Sequence, residues 1–437
     1  MKVVIMAGGK GTRIASIKND VPKPMIEIGG KPILQWQIEN LRACGLTDII
    51  LVVGYMGNII QDYFKDGTSF GVHISYFVES TPLGTAGALF KMPQLTEDFL
   101  LMCGDVILDV DFKRFIEFHY KNKAWASLMA HPNGHPYDSS LLVTKVLPPQ
   151  EAGGLPVDTH CVTQWMNKED ERIYYKNRVN AGIEMISPIL LQETMRNYVP
   201  RHPENPDKID LDRDVLKPNI QSGRIYAYDT PEYIKDMGTP DRYYEVESDI
   251  LSGKVKARNL INKQKAVFLD RDGTINQYVG FLTRPEQFKL IPEVPAAIKL
   301  INKSGYLAIV VTNQPVIARG DCTWEGLQMI HNKMETELGK AGAFLDGIYV
   351  CPHHPDKGFE GERPEYKINC DCRKPKAGLF LKAASDYHID MSQSVMIGDS
   401  DADVEAGRNA GLLHSVKIER NKPGALEHVL SEILKSL

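Results

Sequence analysis

Apolar residues gather along this chain in short, dense segments: Lys2–Ala7, Asp48–Gly54, His73–Val78, Phe99–Cys103, Leu307–Val311 and Val395–Ile397 are the clearest. Segments of this length bounded by turn-forming or charged residues predict strands covered on both faces, hence a parallel sheet, with the longer mixed stretches between them as covering helices. The sharpest is Lys265-Ala266-Val267-Phe268-Leu269, which passes straight into Asp270-Arg271-Asp272-Gly273-Thr274. A buried strand there delivers two carboxylates to its C-terminal end. A comparable opening stands at the start, where Val3-Val4-Ile5-Met6-Ala7 runs into Gly8-Gly9-Lys10-Gly11-Thr12-Arg13. Two strands that each end in a phosphate-type turn predict two α/β units on one chain.

Length agrees, since 437 residues exceed what one hydrophobic core organises. The stretch Asp241–Asn262 reads as a terminal helix followed by a polar, basic run, Gly253-Lys254-Val255-Lys256-Ala257-Arg258. The expected division is therefore 1–245, a helix end and linker at 246–263, and 264–437, with the linker lysines as solvated charge. A net charge of -5 gives no footing for nucleic acid or a membrane surface. No apolar run approaches membrane-spanning length, and the start lacks the pattern of a secretory leader. A soluble, cytoplasmic protein is expected. Seven cysteines are an odd number, and Cys44, Cys103 and Cys322 lie where a plain thiol suffices, so disulfides are not the framework.

The glycines at 8, 9 and 11 let backbone amides approach an anion closely. A tight strand-to-helix turn would explain them equally well. Val21-Pro22-Lys23-Pro24-Met25 shifts the balance, because prolines on both sides stiffen the backbone that holds one lysine. Arginine, glycine turn and fixed lysine make a site for a triphosphate. These paired motifs resemble the sugar-phosphate nucleotidyltransferases, whose opening reads G-G-x-G-T-R followed by P-K-P-M or P-K-P-L. The resemblance implies that Gly8, Gly9, Gly11 and Arg13 bind the nucleotide phosphates and that Lys23 helps hold the reacting ones, with Arg13 and Lys23 catalytic. Ile14–Asp20 departs from the P-L-T stretch of many relatives. By the same resemblance Pro82-Leu83-Gly84-Thr85-Ala86-Gly87 lies against the nucleobase, through Leu83, Gly84 and Gly87. Gly104-Asp105 supplies a magnesium ligand beside the nucleotide, Asn180 of Val179-Asn180-Ala181-Gly182-Ile183 faces the sugar, and Asp236 of Asp236-Met237-Gly238-Thr239-Pro240 is the second magnesium ligand. Asn180 could equally cap a strand, and a lone aspartate after a strand is often a helix cap. His131–Leu142 holds two histidines four apart, but the glycine and proline between them break the helix a metal pair would use. A polar substrate loop is expected, and it resembles the heptose-phosphate guanylyltransferase branch.

Asp270-Arg271-Asp272-Gly273-Thr274 resembles the first motif of the haloacid-dehalogenase-like (HAD-like) phosphatases, D-x-D-G-T. The spacing suits one carboxylate attacking phosphorus while a second protonates the leaving oxygen and then activates water. The resemblance makes Asp270 the nucleophile and Asp272 the acid/base. It assigns Thr312 and Asn313 to the phosphoryl oxygens, Lys374 to the charge of an aspartyl-phosphate, and Asp399 to magnesium with Asp270 and the carbonyl of Asp272. Cys351-Pro352-His353 and Cys370-Asp371-Cys372 offer three thiolates and an imidazole, enough for a closed structural zinc site. Their pairing resembles the phosphatase branch acting on heptose bisphosphate and histidinol phosphate; His353 rather than His354 matches it, and a nucleic-acid zinc ribbon is disfavoured by the acidic balance. Arg373 and Lys374 follow directly. Arg319, in a substrate loop where Pro315 and Val316 replace the branch's small pair, is expected on a distal phosphate or sugar hydroxyl.

The resemblances together imply an α/β fold class: a Rossmann-like nucleotidyltransferase domain, then a HAD-like Rossmannoid phosphatase domain with a structural zinc loop. They imply a bifunctional sugar-nucleotide enzyme that dephosphorylates heptose 1,7-bisphosphate and transfers a nucleotidyl group, GMP from GTP, to heptose 1-phosphate. Magnesium is expected in both domains and zinc in the second, with an oligomer open. Histidinol phosphate is the alternative phosphatase substrate, and an inactive sugar-nucleotide-binding regulator the alternative of another class.

Overall fold

The computed structural model describes residues 1–9, 20–151 and 153–436. Two separate sheets organise them. The first has nine strands. Its half nearest the N-terminus is parallel: His73–Val78, Asp48–Val53, Lys2–Met6 and Phe99–Cys103 lie side by side, with Val3 opposite both Ile49 and Leu100. Val3 and Ile5 enter the core on one face while Val4 enters the core on the other, which is why these segments are apolar without a break.

The other half departs from the expected parallel sheet. Val179–Ile186 runs antiparallel to both Phe99–Cys103 and Ala126–His131, and Val157–Met166 runs antiparallel to Ile225–Asp229 and Leu141–Leu147. A strand buried on both faces has the same composition in either direction, so apolar content alone does not carry the direction. Val106–Asp109 and Tyr233–Asp236 form a small antiparallel pair beside the first sheet.

The second sheet is wholly parallel, in the order Gly347–Cys351, Tyr306–Asn313, Lys265–Leu269, Val395–Gly398, His414–Lys417. Here too alternate residues feed opposite faces: Val267 and Leu269 join one cluster, Ala266 and Phe268 the other. Short polar side chains start the helices that cover the sheets. Thr239 caps Pro240–Leu251, Thr323 caps Trp324–Lys340, and Ser400 with Asp403 forms a capping box for Asp401–Asn409.

The expected linker is solvated only in part, with Lys256 exposed. Its basic run forms a short helix, Lys254–Ala257, after the left-handed Gly253, and Lys254 pairs with Asp249 at 3.2 Å. Arg258 is buried: its guanidinium donates to the carbonyls of Pro231 and Tyr306 and pairs with Asp346 at 2.5 Å. The next residues continue the seam, with Leu260 N–H donating to the Glu232 carboxylate and Asn259 to Asp109. Further along, Tyr175 exchanges hydrogen bonds with Thr336 on the long helix Trp324–Lys340.

Candidate functional sites

The first site gathers where the strands of the first sheet end. Gly104 turns the chain tightly against the opening strand, donating to the Met6 carbonyl at 3.0 Å, and a side chain there would meet that oxygen. Asp105 follows and receives Lys23 Nζ at 2.5 Å. Asp236 is brought alongside because Tyr233–Asp236 pairs with Val106–Asp109, and Met237 N–H donates to the Asp105 carbonyl. Its carboxylate takes both oxygens' contacts from Arg242 Nη1, at 2.8 and 2.7 Å. Asp105 and Asp236 therefore share one mouth, each with one cation. Gly11 and Arg13 lie outside the described residues. Among the described residues nothing lies within 4 Å of a Cβ placed on Gly9, whereas Gly8 is packed against Glu79 and Gly54.

A cavity of about 980 Å³ opens from Asp105 and Asp236 past Asn180, His131 and His135. A bulge between Asn180 and Glu184, with Gly182 left-handed, turns the Asn180 side chain toward it, and Asn180 Oδ1 is buried without a hydrogen-bond partner among the described residues. Burial and the nearby Asp212 push Glu184 up, and burial with Asp210 pushes Asp212 up to about 6. His131 is held down to about 4 by burial and by His135. His135 bonds Asp138 at 2.9 Å and lies 3.3 Å from Arg242, so the two histidines belong to a polar loop and not to a metal pair. The 82–87 loop is braced from behind: Leu83 is buried, and side chains on Gly84 and Gly87 would strike the carbonyls of Ile209 and Asp207 at 2.4 and 2.1 Å. Those glycines are thus required by packing whatever the loop binds. The sequence reading missed Lys168, Glu184 and Asp212, all on the cavity wall; Glu184 directly follows the Val179–Ile183 motif, while no motif flanks Lys168 or Asp212. It also missed that the far wall comes from the second unit, through Lys299, Lys303 and Phe344.

The second site stands at the C-terminal ends of the parallel strands. Asp270 is buried at the end of Lys265–Leu269, and burial, opposed by Lys374, pushes it up to about 7. Lys374 Nζ lies between Asp270 and Asp403 at 2.7 and 2.6 Å, and also donates to the Val311 carbonyl. Asp399 pairs with Arg420. The carboxylates of Asp270, Asp399 and Asp403 come close enough to share one cation. Asp403 was not singled out in the sequence; the signal was the third aspartate of Asp399-Ser400-Asp401-Ala402-Asp403. Gly273 is left-handed, and a side chain there would lie 2.3 Å from the Asp399 carboxylate.

Asp272 points away from this cluster, accepting from Arg271, from Asn276 at 2.9 Å and from Gln314 at 2.8 Å. Burial would raise it, but Arg271 and the two amides hold it below the usual carboxylate range. Thr312 Oγ1 accepts from Gln314 and keeps its own proton to donate. Asn313 also has a bracing role. Its carboxamide brackets the backbone of Lys374, accepting from the N–H at 3.0 Å and donating one of its two N–H groups to the carbonyl at 3.1 Å. It positions the lysine. Arg319 stands between the rings of Phe281 and Phe359, 4.3 and 4.5 Å from their centres, at the edge of the site.

Cys351, His353, Cys370 and Cys372 converge. Their sulfurs are 3.1 to 3.6 Å apart, and His353 Nδ1 lies 3.2 Å from Cys372 and 3.7 Å from Cys351. A tetrahedron with Zn–S bonds of about 2.3 Å has edges of about 3.8 Å, so the set fits zinc after slight expansion. His354 turns instead toward Asp356. Arg373 Nη1 donates to the His353 carbonyl, tying the cluster to Lys374. A third group, Asp158, His160 and Asp229, already surrounds a cation, since Arg178 pairs with both carboxylates at 2.6 and 2.5 Å. Among the described residues no helix is long and apolar enough to cross a membrane.

Residues 2–253 match the nucleotidyl transferase family, and residues 371–427 match the HAD-hydrolase-like family. The D-glycero-beta-D-manno-heptose-1,7-bisphosphate 7-phosphatase of Haemophilus influenzae is 40% identical over 177 residues, 39% of this chain and 93% of that protein. The enzyme of the same name from Haemophilus ducreyi is 44% identical over 160 residues, 36% of this chain and 85% of that protein. The structure of HddC from Yersinia pseudotuberculosis complexed with GMP-PN is 26% identical, covers 57% of this chain and 99% of that one, and has a TM-score of 0.45. The chain belongs to the nucleotidyl transferase family and, in the same polypeptide, to the family of the heptose-bisphosphate phosphatases, and so is an enzyme of two activities.

Proposed function

We propose that this chain makes a nucleotide-activated heptose in two steps: residues 264–437 remove the 7-phosphate of heptose 1,7-bisphosphate, and residues 1–245 transfer GMP from GTP to the resulting heptose 1-phosphate, releasing pyrophosphate. The observation that carries this reading is the pairing itself. A phosphatase family that hydrolyses the terminal phosphate of a sugar bisphosphate leaves an anomeric phosphate, which is the acceptor a sugar nucleotidyltransferase needs. Guanine is favoured by the resemblance of His131–Leu142 to the guanylyltransferase branch, and the demand for a nucleoside triphosphate puts the chain in the cytoplasm.

In the phosphatase step Asp270 attacks phosphorus, forming an aspartyl-phosphate, while the P–O bond to the sugar breaks and the sugar oxygen takes a proton from Asp272. Lys374, held between Asp270 and Asp403, lowers the charge that accumulates. Asp272, ionised against Arg271 and Gln314, is set up as the base that deprotonates water in the second half. To act first as acid it must take up a proton and leave those partners. Thr312 donates to a phosphoryl oxygen, and Arg319, stiffened by its two rings, meets the sugar's distal end. Magnesium would be held by Asp270, Asp399 and the carbonyl of Asp272, with Asp403 at hand, and supplies charge neutralisation. Zinc would be held by Cys351, His353, Cys370 and Cys372 and fixes the loop that carries Arg373 and Lys374.

In the transfer step the sugar phosphate oxygen attacks the α-phosphorus of the nucleotide. Lys23 and Arg13 hold the reacting phosphates, Gly8, Gly9 and Gly11 present backbone amides, the 82–87 loop faces the base, and Asn180 orients the sugar. Asp105 and Asp236, hard oxygen donors on adjacent strand ends, would hold magnesium there. Purified chain given heptose 1,7-bisphosphate, GTP and magnesium should release orthophosphate and then pyrophosphate, with a GDP-sugar as product. Release from histidinol phosphate alone, or pyrophosphate only with another triphosphate, would overturn the substrate assignments one at a time.

A further inference from the structure

The hairpin between strands Leu141–Leu147 and Val157–Met166 belongs to the nucleotidyltransferase unit, yet its tip lies on the phosphatase unit's Cys/His cluster. Gly153 is left-handed, φ +74°, and an added Cβ would stand 2.4 Å from the Glu365 carbonyl, so only glycine allows the approach. Its own carbonyl lies 2.8 Å from His353 Nε2. The other ring nitrogen, Nδ1, faces the sulfurs of Cys372 and Cys351. A neutral imidazole carries one proton; for Nδ1 to present a lone pair to a metal, that proton must sit on Nε2 and needs an acceptor. The Gly153 carbonyl is that acceptor. The ring is held in place on its backbone side too, by Arg373 on the His353 carbonyl and by the Tyr366 ring 6.0 Å away.

We propose that the hairpin turn of the nucleotidyltransferase unit that carries Gly153 is the outer shell of the zinc site, with Gly153 a positioning residue that fixes the tautomer and angle of His353. The proposal rests on the reading that this cluster holds zinc. Because Arg373 and Lys374 follow the last zinc ligand, the hairpin also steadies the phosphatase's lysine from the neighbouring unit.

The test compares full-length wild type, Gly153→Ala, a variant with 149–155 replaced by an Asn-Gly turn, and Gly223→Ala, a left-handed glycine with nothing within 4 Å of its Cα substituent. Each is purified without chelators, its zinc counted, its zinc affinity measured against a competing chelator, and its cobalt-substituted form examined by visible absorption. Loss of an outer-shell partner of a metal-bound histidine costs about 10- to 100-fold in affinity; water can replace this carbonyl, so about tenfold is expected. Both hairpin variants should show it, with shifted cobalt bands, while Gly223→Ala matches wild type. Where the two disagree, the turn replacement decides, since it removes the acceptor outright. Wild-type affinity and cobalt spectrum in that variant would overturn the hairpin's role and leave the zinc reading intact. Absence of zinc from wild type would overturn the zinc reading itself and the proposal with it.

Discussion

Replacing Arg258 with alanine tests whether the two units are fastened or merely tethered. The guanidinium is buried, spans the seam, and gives hydrogen bonds to the carbonyls of Pro231 on one side and Tyr306 on the other. Its ion-pair partner, Asp346, has a side chain of 0% exposure, and the other carboxylate oxygen takes the Ala308 N–H at 2.7 Å. Alanine leaves that carboxylate charged and buried without its cation. Breaking a buried pair by removing one partner costs about 3–5 kcal/mol. Both carbonyls also lose a donor, so the upper half of that range is expected unless water enters. Urea unfolding followed separately by phosphatase activity and by nucleotidyl transfer should be one transition in wild type and two in Arg258→Ala, with the phosphatase unit lost earlier. The double variant Arg258→Met with Asp346→Asn removes both charges and keeps an acceptor for Ala308, and should recover most of the loss. A cost under about 1 kcal/mol for Arg258→Ala, or no recovery in the double variant, would refute the account of the seam as a buried ion pair, since 3–5 kcal/mol is the range for such a pair.

Asp105→Asn should abolish nucleotidyl transfer and leave phosphate release intact, and Asp270→Asn should do the reverse; joint loss in a folded variant would refute two independent sites. Cys370→Ser removes a zinc ligand, and because metal binding of this kind is itself folding free energy, the phosphatase unit should melt earlier and hold less than one zinc per chain. Burial pushes Glu335, on the helix facing Asn177 and Arg178, up from the ordinary 4.5 to about 7. The folded chain therefore holds a proton that the unfolded chain gives up. That stability is complete below about pH 4.5 and is lost as pH rises through 7, up to about 3 kcal/mol; Glu335→Gln should flatten the dependence of the denaturation midpoint between pH 5 and 8.

What was legible in the sequence was whatever local chemistry enforces. Asp270 and Asp399 meet because each follows an apolar strand of one parallel sheet, and those strands were readable as apolar runs; Lys374 reaches them from the loop that follows the Cys/His set. The Cys/His set closed as its spacing required. Direction and partnership were not local. Val179–Ile186 runs antiparallel although its composition fits a parallel strand. That Asn313 also braces Lys374, a partner 61 positions along the chain, was not legible. The linker lysines were read as solvated charge, and the role of Arg258 beside them was not legible because its partner Asp346 lies 88 positions away. Gly84 and Gly87 were read as room for a ligand, while their most direct demand comes from the carbonyls of Ile209 and Asp207.

The seam also bears on why one chain carries both reactions. The nucleotidyltransferase cavity reaches the second unit at Lys299, Phe344 and Asp346, beside the N-terminal ends of the parallel strands. The phosphatase residues Asp270, Thr312 and Asp399 stand at the opposite, C-terminal ends. At about 3.3 Å per residue the strand Tyr306–Asn313 separates those ends by roughly 25 Å. On the two-step reading, a phosphosugar freed at one mouth is expected to reach the other by diffusion. Proximity raises its local concentration only as far as diffusion lets it linger. Contacts that cross the seam include a buried arginine pair, the Tyr175–Thr336 exchange, a carboxylate capped by Leu260, and a hairpin laid on the Cys/His loop. Fusion on this geometry couples the folding of the two units more strongly than it couples their chemistry, so loss of one unit's fold should be felt first as instability in the other and only then as a slower flow of intermediate.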